Sequence, residues 1–329
     1  MKQKRLTALV LAAAMALGLV GCGGAPASKT DDDTLKVGVL QYDRHSSLDE
    51  ICESLTKELE SSGQKLEVTV KNGQGDPATI NDICTLFLAD KVDLVVAIAT
   101  PAATTAAASL QGSNIPLVFS AVTDPVAAQL VDSMEQPGDN ITGTSDYIDT
   151  ESIFELALKQ NPNLKKMGII YNLSEPNSSA TVEKAIPQLQ KMGVETAVST
   201  VSVESEVQMA VHDLISQGVE ALFVPIDNTV ANAMSVLSDE AVSAGLPVYT
   251  AADSLVRDGG LATVGVNYTS LGQQTAQMAL DILVNGKDPA SMPVQVMQDK
   301  IVTVNTTTAN ALGIDPSVFD LGSGYQSFK

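Results

Sequence analysis

Tryptophan is absent from this 329-residue chain, aromatic residues make up only 4% of it, histidine occurs twice and cysteine three times. With His45 and His212 as the only imidazoles and no Cys-x-x-Cys pair, a zinc site of ordinary ligand composition is nearly excluded, and no metal or cofactor is expected. Basic residues are scarce too, 19 Lys and Arg against 39 Asp and Glu, and Lys2, Lys4 and Arg5 lie at the extreme N-terminus. Nucleic acid is therefore not expected as a partner, because neutralising phosphates takes clustered cations. The chain also lacks a Gly-x-Ser-x-Gly nucleophile elbow, and Gly286-Lys287 has no upstream glycine to make a phosphate loop. Gly73-Gln74-Gly75-Asp76-Pro77-Ala78 matches a dinucleotide turn on paper. However, it follows the second predicted strand, and an Asp76 cap with Pro77 opening a helix explains it better. No catalytic residue is assigned. What is present, 44% hydrophobic against 18% charged residues, can bury a sizeable core, and the length suggests about two domains.

Residues 1–21 read as a lipoprotein signal peptide: Lys2, Lys4 and Arg5, an apolar run from Leu6 to Leu19, then Leu19-Val20-Gly21-Cys22. At 1.5 Å per residue the run is too short to cross about 30 Å of hydrocarbon, so cleavage and lipidation at Cys22 are expected rather than a membrane span. Residues 22–34, rich in Gly, Ala, Ser and Asp, read as a flexible tether. Such a chain would be extracytoplasmic, held to the cell membrane by its lipid alone.

From Leu35 the pattern alternates apolar strands with amphipathic helices. Lys36–Leu40 is a strand, and Ser47-x-x-Glu50 reads as a capping box opening a helix with Leu48, Ile51, Cys52, Leu55 and Leu59 on one face. Leu66–Val70, Leu94–Ile98, Pro116–Ser120 and Ile141–Thr144 continue the strands, with helices from Pro77, from Thr100 and over Pro125–Val131. The alternation restarts at Met167, with a break or kink expected at Pro187, one helix over Asn228–Ala244, another over Tyr268–Leu283 and a last strand near Val302–Asn305. More than eight parallel strands in one open sheet would be unusual, so the expected fold is α/β with two doubly wound parallel-sheet lobes. The helices bearing Cys52 and Cys84 should lie on opposite faces of the first sheet, which predicts two buried free thiols.

Ligands of such sheets bind beyond the carboxyl ends of the strands. There the sequence gathers Gln41, Tyr42 and His45, then Thr100 with Ala102 and Ala103, then Thr123 and Asp124, in the first lobe. The second lobe offers Asn177, Ser178, Asp227, Asn228 and Asp253. Thr100 with the Ala102 and Ala103 amides can seat a carboxylate at a helix N-terminus, or Thr100 can simply cap its own helix. Asp227, and after it Asp253, can pair an ammonium, or each can be an ordinary N-cap; Asp124 before Pro125 has the form of a cap. Tyr42 and His45 can stack on a planar side chain or be plain loop residues.

Val37-Gly38-Val39-Leu40-Gln41, Ile98-Ala99-Thr100-Pro101-Ala102-Ala103, Val122-Thr123-Asp124-Pro125-Val126, Val224-Pro225-Ile226-Asp227-Asn228-Thr229 and Gly259-Gly260-Leu261-Ala262 together resemble the substrate-binding lipoproteins of ABC importers. The resemblance, which runs from the lipobox to about Leu312, is to the tryptophan/tyrosine-type branch of the type I periplasmic-binding-protein fold. It implies two lobes joined by three crossovers, near Ser145–Thr150, Val266–Ser270 and Val296–Lys300. Lobe 1 would hold residues 35–145 plus about 269–296, lobe 2 residues 146–268 plus about 297–314, and residues 315–329 would form a poorly ordered tail. It further implies a monomeric, non-enzymatic receptor that closes on a small amino acid-like ligand and hands it to an ABC permease with its ATPase. A receptor for a neutral solute, a sensory lobe and, more remotely, an extracytoplasmic enzyme are the rival readings. For the address label the expected outcome is concrete: Cys22→Ala should move the protein from the membrane to the soluble fraction, and unchanged membrane retention would contradict lipidation.

Overall fold

The continuous apolar run Leu94-Val95-Val96-Ala97-Ile98 is buried at every position, as a strand covered on both faces must be, and it lies at the centre of the first sheet. The computed structural model describes residues 34–297, 301–322 and 324–329. The expected signal peptide, Cys22, all but the last residue of the tether and the end of the third crossover at 298–300 lie outside the described residues. Residues Leu35–Lys329 make one compact unit built on two sheets. Strands β1 (Leu35–Gln41), β2 (Leu66–Asn72), β3 (Leu94–Ile98), β4 (Leu117–Ser120) and β5 (Ile141–Ser145) alternate with helices α1 (Ser46–Ser61), α2 (Pro77–Asp90) and α3 (Thr100–Ser109). Then follow α4 (Glu151–Gln160), β6 (Lys166–Asn172), α5 (Pro176–Lys191), β7 (Glu195–Val201), α6 (Val207–Ser216), β8 (Ala221–Val224), α7 (Asn228–Asn232) and α8 (Met234–Ser243). The chain ends with β9 (Val248–Thr250), α9 (Asp253–Arg257), β10 (Ala262–Gly265), α10 (Tyr268–Leu283), β11 (Gln295–Val296), β12 (Ile301–Asn305), α11 (Thr306–Ala311) and β13 (Gln326–Phe328).

The first sheet runs β11-β5-β4-β3-β1-β2, all parallel, and the second β13-β12-β10-β9-β8-β6-β7. This is the expected α/β class, and the chain passes between the sheets three times: after β5, between β10 and α10, and between β11 and β12. Helix α10 returns to the first sheet because it can lie close on α1. A β-carbon at Gly272 would come within 2.1 Å of Ser54 Oγ and 2.6 Å of the Ile51 carbonyl, so only glycine lets the two backbones approach.

Several local expectations need correction. The Ser47-x-x-Glu50 pair does not cap α1: its N-cap, His45, makes no side-chain capping bond, and Ser47 and Glu50 reach across to the second lobe instead. Pro125–Val131 forms successive turns, not a helix, and ends with Gln129 in the left-handed region at φ 58°. The single helix expected over Asn228–Ala244 is divided at Ala233, whereas α5 runs through Pro187 as one helix. Strand β12 pairs antiparallel with β10, and helices α4 and α9 were not anticipated. Residues 315–329, expected to be poorly ordered, bury Phe319 and contribute β13, whose Phe328 ring lies 5.0 Å from the Arg257 guanidinium. Composition alone hid this, because one buried aromatic and one edge strand suffice to order a tail rich in Gly and Asp.

Asp76 caps α2 as expected, accepting from Thr79 N at 3.0 Å and Thr79 Oγ1 at 2.7 Å, so the Gly-rich turn is fully explained as a helix start. Cys52 and Cys84 are free and buried, Cys52 in the apolar cluster on one face of the first sheet and Cys84 in the cluster on the other. Burial pushes the Cys52 thiol up to about 11. A Cys22→Ala protein should therefore show no thiol reactive with Ellman's reagent at pH 8 while native, and two after denaturation without reductant. Zero after denaturation would overturn the opposite-face arrangement.

Candidate functional site

At the carboxyl ends of β3 and β4 the backbone turns through Ala99 (φ 82°) and Ala121 (φ 55°), conformations that side chains other than glycine adopt only when the surroundings impose them. Ala99 N bonds the Ser120 carbonyl at 2.9 Å and Val122 N the Thr144 carbonyl at 3.2 Å, which ties both turns to the neighbouring strand. Both alanines line a narrow cavity between the lobes, about 20 Å³ in volume, which with the lobes closed has room for about one water.

Helix α3 starts on this cavity. Its first internal bond is Ala103 N to Ala99 O at 3.0 Å, which uses the Ala103 amide, and Pro101 has no N–H to give. The amides of Thr100 and Ala102 precede that bond and have no partner inside the helix. Thr100 does not cap its own helix: its Oγ1 is shut off from solvent without any hydrogen-bond partner. The Ala103 amide is thus unavailable to the anion seat expected at this helix, which leaves it the Thr100 hydroxyl and the Thr100 and Ala102 amides as donors.

The facing wall comes from the second lobe and is organised by a residue the sequence reading passed over. Glu175, 3% exposed, accepts from Asn228 N (3.0 Å), Asn228 Nδ2 (2.6 Å), Thr229 N (3.0 Å) and Thr229 Oγ1 (3.0 Å), and so satisfies the start of α7. Asp227 caps the same helix through Val230 N at 2.8 Å, and its other oxygen accepts from Asn172 N at 2.6 Å and Ser178 Oγ at 2.7 Å. Its expected role as a free ammonium partner is thereby reduced, since three of its lone pairs are already committed. Burial, and then the neighbouring Glu175 charge, raise its pKa well above the usual carboxylate range.

Asp146, in the crossover after β5, is buried without a cationic partner among the described residues. It is 1% exposed and accepts from Thr123 Oγ1 (2.9 Å), Tyr268 OH (3.1 Å) and its own backbone N–H, all neutral; burial pushes its pKa to about 6. Neither Lys nor Arg lines the cavity. The uncompensated charge inside is negative, facing one helix N-terminus that favours an anion.

Six of the expected residues, His45, Thr100, Thr123, Asn177, Asp227 and Asn228, line this cavity together. Ala102 and Ala103 turn their methyl groups into the core, and Gln41 is spent on Asp49 at 2.7 Å. Tyr42 bonds the Gly75 carbonyl at 3.2 Å and lines a separate open groove. Ser178 acts through Asp227. Asp124 caps Ala127 N at 3.0 Å, pairs Lys184 at 3.0 Å and borders a different pocket, and Asp253 lies outside the cavity lining, its pKa raised to about 6 chiefly by burial. Asp146, Tyr268 and the apolar group Leu48, Ile226, Ala231, Ala252 and Leu255 were missed. The rule that selected the other strand ends, applied also to β5, reaches Asp146; the apolar residues carry no local signal.

The lobes are closed on each other. His45 Nε2 meets Asn228 Oδ1 at 3.1 Å, Ser47 Oγ meets Ser254 Oγ at 2.5 Å, Asn232 Nδ2 donates to Asp43 at 2.9 Å, and Ser46 bonds Asp258. Arg257 donates to Glu50 at 2.6 Å and Lys184 to Asp124 at 3.0 Å. Among the described residues no helix is long and apolar enough to cross a membrane.

These features define a two-lobed solute receptor, and comparison with known proteins agrees. Residues 36–317 match the ABC transporter substrate binding protein family. A tyrosine-binding protein of Clostridioides difficile is 34% identical over 324 residues, covering 94% of this chain and 93% of that protein. An ABC domain from Streptococcus pneumonia in complex with L-Trp superposes with a TM-score of 0.83 at 33% identity, over 90% of this chain and all of that one. A ligand-free, open substrate-binding protein with adhesive properties from Clostridium difficile, at 34% identity, 90% of this chain and 99% of that one, gives 0.69. The chain belongs to the ABC transporter substrate-binding proteins, extracytoplasmic receptors that bind a small molecule for an ABC transporter. At 33% and 34% identity respectively, it superposes better on the ligand-bound relative than on the open one, in keeping with its closed lobes.

The raised pKa of Asp146 has a definite sign in the stability of the protein. A carboxyl that ionises near 6 when folded and near 3.8 when unfolded stabilises fully below about pH 4, and that contribution is lost as pH rises through 6. Between pH 5 and 7.5 the ligand-free protein should lose about 1 kcal/mol relative to Asp146→Asn, read as a difference in denaturation midpoints. Parallel pH profiles for the two proteins would contradict the assignment.

Proposed function

We propose that this protein is a lipid-anchored, monomeric receptor that captures an aromatic amino acid as a zwitterion between its lobes and presents it to an ABC permease. One observation carries the reading: the cavity sets the buried carboxylate of Asp146, held by neutral donors, against an N-terminal helix seat of neutral donors, with no Lys or Arg in the lining. A ligand with both an ammonium and a carboxylate answers both ends, whereas a neutral solute leaves buried charge unpaired, at a cost of several kcal/mol. The apolar wall of Leu48, Ile226, Ala231, Ala252 and Leu255 suits a hydrophobic side chain. Similarity to a tyrosine-binding protein and to an L-Trp complex supports an aromatic one.

Closure is the working step. Thr100, Thr123 and Asp146 belong to the first lobe and its crossover, Asn177 and Asp227 to the second, so a ligand completes its contacts only when the lobes meet. Its differential affinity for the closed state then shifts the population toward the form the permease would recognise. No catalytic step is assigned to the cavity.

Calorimetry with L-tyrosine and L-tryptophan tests the reading. Asp146→Asn should weaken the tighter of the two by a hundredfold or more, given about 3–5 kcal/mol for removing the partner of a buried charge. The exposed Asp239→Asn should leave affinity unchanged. Wild-type affinity in Asp146→Asn would contradict the zwitterion and favour a neutral solute.

A further inference from the structure

Two buried atoms of the cavity have hydrogen-bond roles that their neighbours fix. Asn228 Nδ2 donates to Glu175 at 2.6 Å, which turns the Asn228 carbonyl oxygen toward His45 Nε2 at 3.1 Å. An acceptor there requires Nε2 to carry the proton. Burial lowers the pKa of His45, so the ring is neutral and Nδ1 is an acceptor. His45 precedes α1 but makes no side-chain capping bond to it, and Nδ1 is closed off from solvent without a partner.

Asn177 reaches the same state from the other lobe. Its Nδ2 donates to the Ile226 carbonyl at 2.8 Å and lies 3.2 Å from a Glu175 oxygen, both acceptors, so the amide orientation is determined. Its Oδ1 is then an acceptor, closed off from solvent and without a donor. Asp227 is not a further one, since Asn172 N, Ser178 Oγ and Val230 N already bond it. Asp146 is, because its donors are neutral and leave its negative charge unanswered.

Three acceptors, one of them charged, thus line one cavity of about 20 Å³, the size of a water molecule and equally of an ammonium group. Resting on the zwitterion reading above, we propose that His45 Nδ1 and Asn177 Oδ1 join Asp146 as the three acceptors of the ligand's ammonium, so that the receptor takes primary amines and rejects N-alkylated ones. His45 belongs to the first lobe, Asn177 to the second and Asp146 to the crossover between them. The ammonium is therefore the group that spans the closure, one N–H bond to each part. An N-alkyl substituent removes one of these bonds and sets carbon against a desolvated acceptor. An acceptor left unpaired after desolvation costs more than the bond itself contributes, so a site built around N–H donors discriminates strongly against the analogue that lacks one.

Calorimetry on the wild-type protein compares L-tyrosine and L-tryptophan with their N-methyl derivatives, which keep the positive charge, the carboxylate and the aromatic side chain and lose one N–H. For the tighter parent, the N-methyl derivative should bind about a hundredfold more weakly or worse. Equal affinities overturn the three-acceptor site while leaving the zwitterion reading intact. Failure of both parents to bind overturns that reading and this inference together. Because a methyl group also adds bulk, His45→Phe and Asn177→Leu, each checked for folding by circular dichroism, separate lost bonding from crowding: with an acceptor gone, the gap should shrink by about tenfold in at least one of them. An undiminished gap in both overturns the assignment to these residues. Nitrogen-15 spectra of histidine-labelled protein, which has only His45 and His212 to resolve, give an independent readout. His45 Nδ1 should carry no proton and its resonance should move when the tighter parent saturates the site; a protonated or unmoved Nδ1 overturns its part in the ammonium site.

Discussion

The structure turns on a carboxylate buried without a cation. Asp146 sits in the crossover that leaves the first sheet, held by one hydroxyl from the loop after β4 and one phenol from the start of α10. Neutral donors do not repay the removal of a full negative charge from water, which is why its pKa rises to about 6. On the function proposed above, the ammonium of the ligand supplies the missing interaction. A receptor gains from this arrangement, because the group that makes the empty site costly is the one that makes the filled site stable.

The contacts across the lobes are of two kinds, and they divide the work of closure. Around the cavity, His45 and Asn228 bridge the lobes as polar partners, and their geometry also fixes the proton on the imidazole. Farther back, α1 and α9 meet through Ser47 with Ser254 and Glu50 with Arg257, while Phe328 from the last strand lies against the Arg257 guanidinium. Exposed ion pairs of this kind contribute little in themselves. Their value is in registering the two lobes so that the buried groups face each other, and the ordered C-terminal strand takes part by packing on the arginine.

Much of the fold was legible because burial on both faces of a parallel sheet forces continuous apolar runs, as in Leu94–Ile98, and because helices begin with recognisable caps, as at Asp76. The strand ends were legible as a cluster of hydroxyls, amides and carboxylates. The limits were those of local reading. Ser47 and Glu50 have the spacing of a capping box, yet both are engaged by the other lobe, a partner about two hundred residues away in the chain that no local pattern reports. Asp227 satisfied the expectation of a carboxylate in the cavity, but the same residue type at the same position caps its helix, and only the hydrogen-bond partners separate the two roles. Asp146 was passed over because it follows its strand inside a crossover rather than a helix start. Ala103 was assigned a free amide one residue too late, a matter of where the first helical bond closes.

The central claim is that the cavity is built for a molecule bearing an ammonium and a carboxylate. Mass spectrometry of the small molecules released when the protein, purified without added ligand from the cells that produce it, is denatured tests this most directly. The expected release is a stoichiometric amino acid with an aromatic side chain. A sugar, a nucleoside or any other solute without an amine, released in the same stoichiometry, would contradict it.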